Sequence, residues 1–320
     1  MNIQDTCAER SFGPVKTPLL IPSFSSTVGG DVGEVFTKVK DQLTDSCLVS
    51  AFDLAHNIID PEEIWYSTNV FVDCGVYENR ILNKDHPRRW SLSHYQKVVD
   101  RLKIKGLSNL ILVSYDDFSS FHEQVVHAQL FFDRYPDAKR DFLLKPPSKE
   151  AKIIDFEELL ADIRMLANFH VLGITEKEIG RSILERCQAI VKIRTSMTRA
   201  GINIPIHVFG CLDPLSILSY FLCGADIFDG LVWLRHGFHQ NLAMYPSNFT
   251  ILKKQWTRPD ESALPLMYVT NLEKLSELMF IMKRIGQNHD LNRLDRLLGS
   301  DVLQTLTELI DSADIKVVGE

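Results

Sequence analysis

Two aspartates, Asp226 and Asp229, stand inside an apolar run within residues 204–235, IPIHVFGCLDPLSILSYFLCGADIFDGLVWLR. A charged side chain in an apolar strand is costly unless it is paired or used. Other apolar runs also end on a polar residue. Asp73 precedes Cys74-Gly75, Asp116 follows Tyr115, Lys145 precedes Pro146-Pro147, and Glu176 follows Thr175. Carboxylates held close together offer general acid–base catalysis or nucleophilic attack. Each residue alone also has a plainer use. An Asp after a strand is often a turn former or a helix cap, and Lys145 suits a solvated loop.

One topology brings such residues together. Residues 204–209 and 227–232 read as buried strands around a helix at 214–223. Further β-rich runs lie at 19–25, 47–52, 70–73, 110–115, 141–144 and 170–175. Helical patterns fall between them at 33–43, 93–103, 120–135, 155–169 and 175–201. Thr175 and Glu178 have the spacing of a capping box at the start of the last of these. Alternation of strand and helix is the parallel α/β signature. Eight strands predict an α/β fold, a single (β/α)8 TIM barrel, whose C-terminal strand ends converge on one mouth. The text is irregular from 233 to about 268. Helices are then expected at 271–285 and 290–312, so residues 236–320 supply barrel insertions and terminal helices to one 1–320 domain.

The 320 residues suit one such barrel. No run approaches the ~20 apolar residues of a membrane helix, and the N-terminus lacks a signal pattern. Six scattered cysteines without a C-x-x-C point to a reducing, cytoplasmic setting. A net charge of −7 means that a nucleic-acid partner needs a local basic patch. Arg235, Arg88-Arg89 and Lys253-Lys254 are the candidates.

From Thr17 to Arg235 the chain resembles the guanine transglycosylase superfamily, which exchanges guanine in a nucleic acid for a 7-deazaguanine. The closest likeness is Gly224-Ala225-Asp226-Ile227-Phe228-Asp229, similar to the family's Gly-x-Asp-x-Phe-Asp motif. Thr17-Pro18-Leu19-Leu20-Ile21-Pro22 is similar to its opening strand. Val72-Asp73-Cys74-Gly75-Val76-Tyr77-Glu78 resembles its Asp-Ser-Gly-Gly-Phe-Gln loop, and Ser114-Tyr115-Asp116-Asp117 its Phe-Asp-Glu segment. Val171–Glu176 looks like its Gly-Leu-Ala-Val-Gly-Glu strand end, and His207–Pro214 like its Met-Gly-x-Gly-x-Pro turn.

The resemblance implies Asp229 as nucleophile on the anomeric carbon and Asp73 as proton shuttle. It implies Asp116, Glu176 and the backbone at Leu172 as readers of the base edge. Tyr77 and Phe209 would stack on the base, although both residue types serve equally well in a core. Gly210 would line the turn beside the base, and Arg235 would contact nucleic acid. Asp226 leans to a structural role. Lys145 stands where the family reads the base carbonyl with Gln, and Glu78 stands for a Gln beside the 7-substituent.

The family's C-x-C-x-x-C zinc motif is missing, since no Cys follows Cys223, so no cofactor is expected. That departure resembles the zinc-less enzymes acting on DNA. The resemblance therefore implies DNA rather than tRNA as partner, with a 7-deazaguanine such as 7-cyano-7-deazaguanine as second substrate and no membrane. The alternatives are a tRNA enzyme, a non-catalytic base-binding subunit of a modification or defence system, and a hydrolase of free nucleosides. A homodimer or partner proteins fit equally well.

Overall fold

The computed structural model describes residues 3–28, 30–81, 89–102, 109–289 and 291–315. Eight parallel strands form a closed barrel: β1 (Leu19–Phe24), β2 (Ser46–Ser50), β3 (Asn69–Asp73), β4 (Leu110–Val113), β5 (Lys139–Leu144), β6 (Val171–Thr175), β7 (Ile206–Phe209) and β8 (Ile227–Gly230). β8 closes on β1 with Asp229 opposite Ile21. All eight predicted runs are barrel strands, so the fold is the expected (β/α)8 barrel. The connections carry α1 (Val32–Val39), α2 (Ala51–Ala55), α3 (Leu92–Arg101), α4 (Phe121–Phe132), α5 (Phe156–Ala161), α6 (Ile183–Arg199) and α7 (Pro214–Leu222).

Side chains alternate along a strand, so every second residue faces the barrel axis. Leu19 and Ile21, Leu48, Phe71, Ile111 and Val113, Leu143, Val171, Phe209 and Ile227 fill the interior as one cluster. Phe12 and Val15, from an N-terminal hairpin, join it. The same parity makes Ser23, Asp73, Asp141, Lys145, Gly173, His207 and Asp229 inward-facing. The alternating pattern that builds the core also aims the polar residues.

Asp226 shows how the parity sorts the two aspartates. It precedes β8, at the end of the barrel opposite the mouth. Arg10 Nη1 donates to its Oδ1 at 2.7 Å, Arg194 Nη2 to its Oδ2 at 2.5 Å, and the Ile206 N–H to the same Oδ2 at 2.8 Å. All three side chains are buried. The role is structural, as the sequence indicated. Asp226→Ala strands two buried guanidiniums and is expected to cost about 3–5 kcal/mol of stability. Chemical denaturation measures the loss.

Several elements differ from expectation. Thr175 caps nothing. Residues Glu176–Glu178 form a 3-10 turn, and α6 starts only at Ile183, where Ser182 Oγ accepts from the Glu185 N–H. The Glu178 carboxylate is spent on Lys145 instead of on a cap. The region that reads as irregular holds α8 (Val232–Arg235), a hairpin (Gly237–His239 with Leu242–Met244) and α9 (Pro246–Leu252). Helix α10 (Asp260–Asn288) begins well before 271 and carries Pro265 inside it, where the missing N–H removes one helical hydrogen bond. Asn271 on α10 pins the hairpin. Its Nδ2 donates to the carbonyls of Trp233 and His236, and its Oδ1 accepts from the Phe238 N–H. The last predicted helix is two, α11 (Asn292–Leu298) and α12 (Ser300–Ser312), broken at Gly299 with φ +81°. Lys103 and Asp290, termini of two predicted helices, lie outside the described residues.

Candidate active site

Three carboxylates come to the mouth from three strands: Asp73 at the end of β3, Asp116 beyond β4 and Asp229 on β8. Asp229 is buried among donors. Ser23 Oγ donates to its Oδ2 at 2.6 Å, the Gly210 N–H to its Oδ1 at 3.1 Å, and His207 Nε2 lies 3.4 Å from Oδ1. Asp73 is placed differently. It opens partly to the mouth and accepts one bond, from the Gly75 N–H at 3.1 Å. Burial, then repulsion from Asp116 and Asp229, raises its pKa from 3.8 to about 7. The turn that holds it needs glycine at position 75. Its φ is +83°, and a Cβ there would lie 2.7 Å from Trp90 Nε1 and 2.8 Å from the Phe52 backbone nitrogen.

Beneath Asp229 lies a pair that the sequence analysis missed. His207 on β7 and Asp141 on β5 are both fully buried, with Nδ1 2.7 Å from Asp141 Oδ2. Burial alone would lower the His207 pKa. Asp141 and Asp229 overcome it and hold the ring near 9, an imidazolium between two carboxylates. Phe209 stacks on the ring, centroids 3.8 Å apart. Gly173 on β6 makes the room, since a Cβ there would lie 2.7 Å from the Phe209 ring and 2.9 Å from Asp141 Oδ1. The signal was present in the sequence: Asp141 and His207 each interrupt an apolar strand at inward parity.

Because the His207 pKa is raised on folding, the stability it contributes is complete below pH 6.5 and is lost as pH rises through 9. His207→Phe leaves two buried carboxylates without their cation. It is expected to cost about 3–5 kcal/mol at pH 7 and to remove that decline. Thermal melts from pH 6 to 10 test both.

Lys145 is no solvated loop residue. It is 4% exposed, with Nζ 2.8 Å from Glu178 Oε2, 3.3 Å from Thr175 Oγ1 and 3.8 Å from Asp116 Oδ2. Cys74 Sγ donates to Asp116 Oδ1 at 3.7 Å. Asp116, Lys145 and Glu178 thus form one cluster, of which Glu178 was not foreseen. Glu78 is buried beside Asp73. Ser25 Oγ donates to its Oε1 at 2.8 Å, while Oε2 has no partner among the described residues. Burial and the charge of Asp73 push its pKa up to about 8, so it is protonated at neutral pH.

The remaining predicted residues separate. Phe209 is at the mouth, held by His207, and Tyr77 lies half-exposed in the turn after β3. Gly210 reaches the site through its N–H, on Asp229. Glu176 is tied to Arg186 (3.1 Å) and Tyr220 (2.9 Å) on the surrounding helices. Leu172 is fully buried below the end of β6, its N–H bonded to the Pro205 carbonyl. Arg235 is exposed on α8, directly after β8. Arg88 lies outside the described residues.

Among the described residues, no group of three or more His, Cys, Asp or Glu side chains is arranged for a metal ion. The six cysteines are buried thiols, and no helix is long and apolar enough to cross a membrane. No protein-family model matches the chain, and no curated protein matches its sequence. The mouth itself carries two contrasting carboxyl groups: Asp229, set among donors, and Asp73, raised to about 7.

Proposed function

We propose that this barrel is a glycosyltransferase that exchanges guanine in a nucleic acid, DNA in preference to tRNA, for a 7-deazaguanine. One observation carries the reading. Asp229 and Asp73 reach the same mouth in contrasting environments, which is how one site runs nucleophilic and acid–base chemistry at neutral pH. A carboxylate oxygen of Asp229 attacks C1′ of the nucleoside. The C1′–N9 bond breaks, and the departing guanine takes a proton from Asp73. The incoming deazaguanine returns its N9 proton to Asp73, its nitrogen attacks C1′, and the bond to Asp229 breaks. Atoms and protons balance without a cofactor.

The other groups fit a guanine-like ligand. Asp116 accepts from the N–H edge, and Lys145 donates to the ring carbonyl. Glu78, a neutral acid beside Asp73 whose Oε2 has no partner among the described residues, is able to donate or accept much as a Gln would. His207, backed by Asp141, fixes the Asp229 carboxylate; it is a positioning residue. Phe209 and Tyr77 supply aromatic faces for the base.

The test is incubation with plasmid DNA and, separately, bulk tRNA, each with 7-cyano-7-deazaguanine, followed by digestion and mass spectrometry of the nucleosides. A modified deoxynucleoside supports the reading. A modified ribonucleoside moves the substrate to tRNA. No product from either overturns it in favour of a binding subunit.

A further inference from the structure

Residues 230–259 contain no Asp or Glu, although the chain has 42 acidic residues in 320. The same stretch holds Arg235, Lys253, Lys254 and Arg258. None of the four forms an ion pair with a described residue. The segment is α8, the hairpin and α9, hung on the C-terminal end of β8, so it rises beside Asp229. Trp233, Leu234, Phe238 and Phe249 anchor it in the core, while other large apolar side chains face outward: Tyr245 is 70% exposed, Trp256 62%, Ile251 58% and Leu252 49%. The Tyr245 ring lies 6.1 Å from His236, one residue past Arg235. The exposed rings of Tyr245 and Trp256 offer flat apolar faces for stacking beside the basic residues of the segment.

A second basic rim faces the same mouth three strands away around the barrel. The loops after β4, β5 and β6 line an open cleft of about 370 Å³ formed by Phe118, Lys149, Ala151, Lys152, Lys177 and Glu178. Glu178 is neutralised by Lys145, and Lys149 sits 6.0 Å over the Phe118 ring. The net character of the cleft is therefore positive. Lys145, 2.8 Å from Glu178 of the lining and 3.8 Å from Asp116, links this cleft to the carboxylates of the mouth.

Resting on the function proposed above, we propose that these two rims hold the phosphate backbone of a DNA substrate across the barrel mouth, with Tyr245 and Trp256 as stacking surfaces for bases beside the exchanged one. Charge decides the occupant. Two copies pairing through a two-fold axis would set like-charged segments against each other, whereas phosphates match both rims. Base–aromatic stacking accounts for aromatic residues standing in water between lysines.

The test is the salt dependence of binding to a short fluorescent duplex DNA, with bulk tRNA as competitor. Three combined variants are compared: Lys253→Ala with Lys254→Ala and Arg258→Ala; Lys149→Ala with Lys152→Ala and Lys177→Ala; and Tyr245→Ala with Trp256→Ala. Circular dichroism checks that each is folded. Each basic variant is expected to weaken binding about tenfold or more, and to lower the log–log salt slope by about 0.9 for every phosphate no longer neutralised. The aromatic variant, losing two stacking residues, is expected to bind at least about thirtyfold more weakly, at about 1–3 kcal/mol for each stacked base, with the slope unchanged.

An unchanged slope in either basic variant overturns the two-rim arrangement. So does preferential capture by tRNA, or a loss of self-association in sedimentation as the only effect. If the wild type exchanges bases while the variants bind and exchange normally, this inference fails and the proposed function stands. If the wild type neither binds nor exchanges, both fail.

Discussion

Asp229→Asn is expected to abolish the covalent protein–DNA adduct and to lower base exchange by at least about a thousandfold, as loss of a nucleophile does. An amide oxygen is a poor nucleophile, and among the described residues no other carboxylate accepts from Ser23 Oγ or the Gly210 N–H. The substitution should leave the fold intact. The amide oxygen still accepts from Ser23 Oγ or the Gly210 N–H, which hold the carboxylate at 2.6 and 3.1 Å. His207 loses one of the two anions that hold its charge, so its pKa should fall from about 9 toward its ordinary value. The adduct is read on a denaturing gel with labelled DNA, exchange by nucleoside mass spectrometry, and the imidazole by NMR titration. Full exchange by the variant would remove Asp229 from the nucleophile's role. Loss of exchange together with loss of folding would be answered by Asp229→Glu, which keeps the carboxylate but moves it.

Much of this arrangement is legible in the sequence because strand alternation does two jobs. Apolar residues at every second position specify the barrel interior, and a polar residue that keeps the rhythm, such as Asp73 or Asp229, is delivered to its mouth. Strand ends advertise such residues more plainly than strand middles do. That is why Asp141 and His207 escape a reading of strand ends, although both break the apolar pattern at inward positions. Lys145 and Glu178 show a different limit. A lysine before two prolines reads as solvated, and only the three-dimensional arrangement brings it a carboxylate at 2.8 Å. The paired arginines of Asp226 come from residues 10 and 194, separations that no local pattern reports. The segment after β8 was illegible as structure because α9, the hairpin and the first turns of α10 lack a sustained period and contain prolines. Its charge, in contrast, was readable throughout.

Asp73→Asn is expected to uncouple stability from catalysis. Exchange should fall by about 10²–10⁴, the usual worth of a positioned acid–base group, while the deazaguanine base still binds through Asp116 and Lys145. Stability should change in the opposite direction, and only at higher pH. In the unfolded chain the carboxyl loses its proton near 3.8; in the folded protein burial, Asp116 and Asp229 delay that to about 7. Between those values unfolding releases a proton, so this residue makes stability fall as pH rises from about 4 to 7, and the deficit persists above 7. Asn has no proton to lose and escapes the penalty. The variant should therefore melt higher than the wild type at pH 8, by about 2–4 °C per kcal/mol of relief, and close to it at pH 4. Glu78, pushed to about 8 by burial and by Asp73 itself, extends the wild-type decline, and in the variant its pKa should drop. A melting advantage equal at pH 4 and pH 8 would show that Asp73 carries no buried charge in the fold. Retained exchange would assign proton transfer elsewhere. The expected combination, a more stable and inactive protein, marks a charge kept at the mouth against the interest of the fold, as functional groups are.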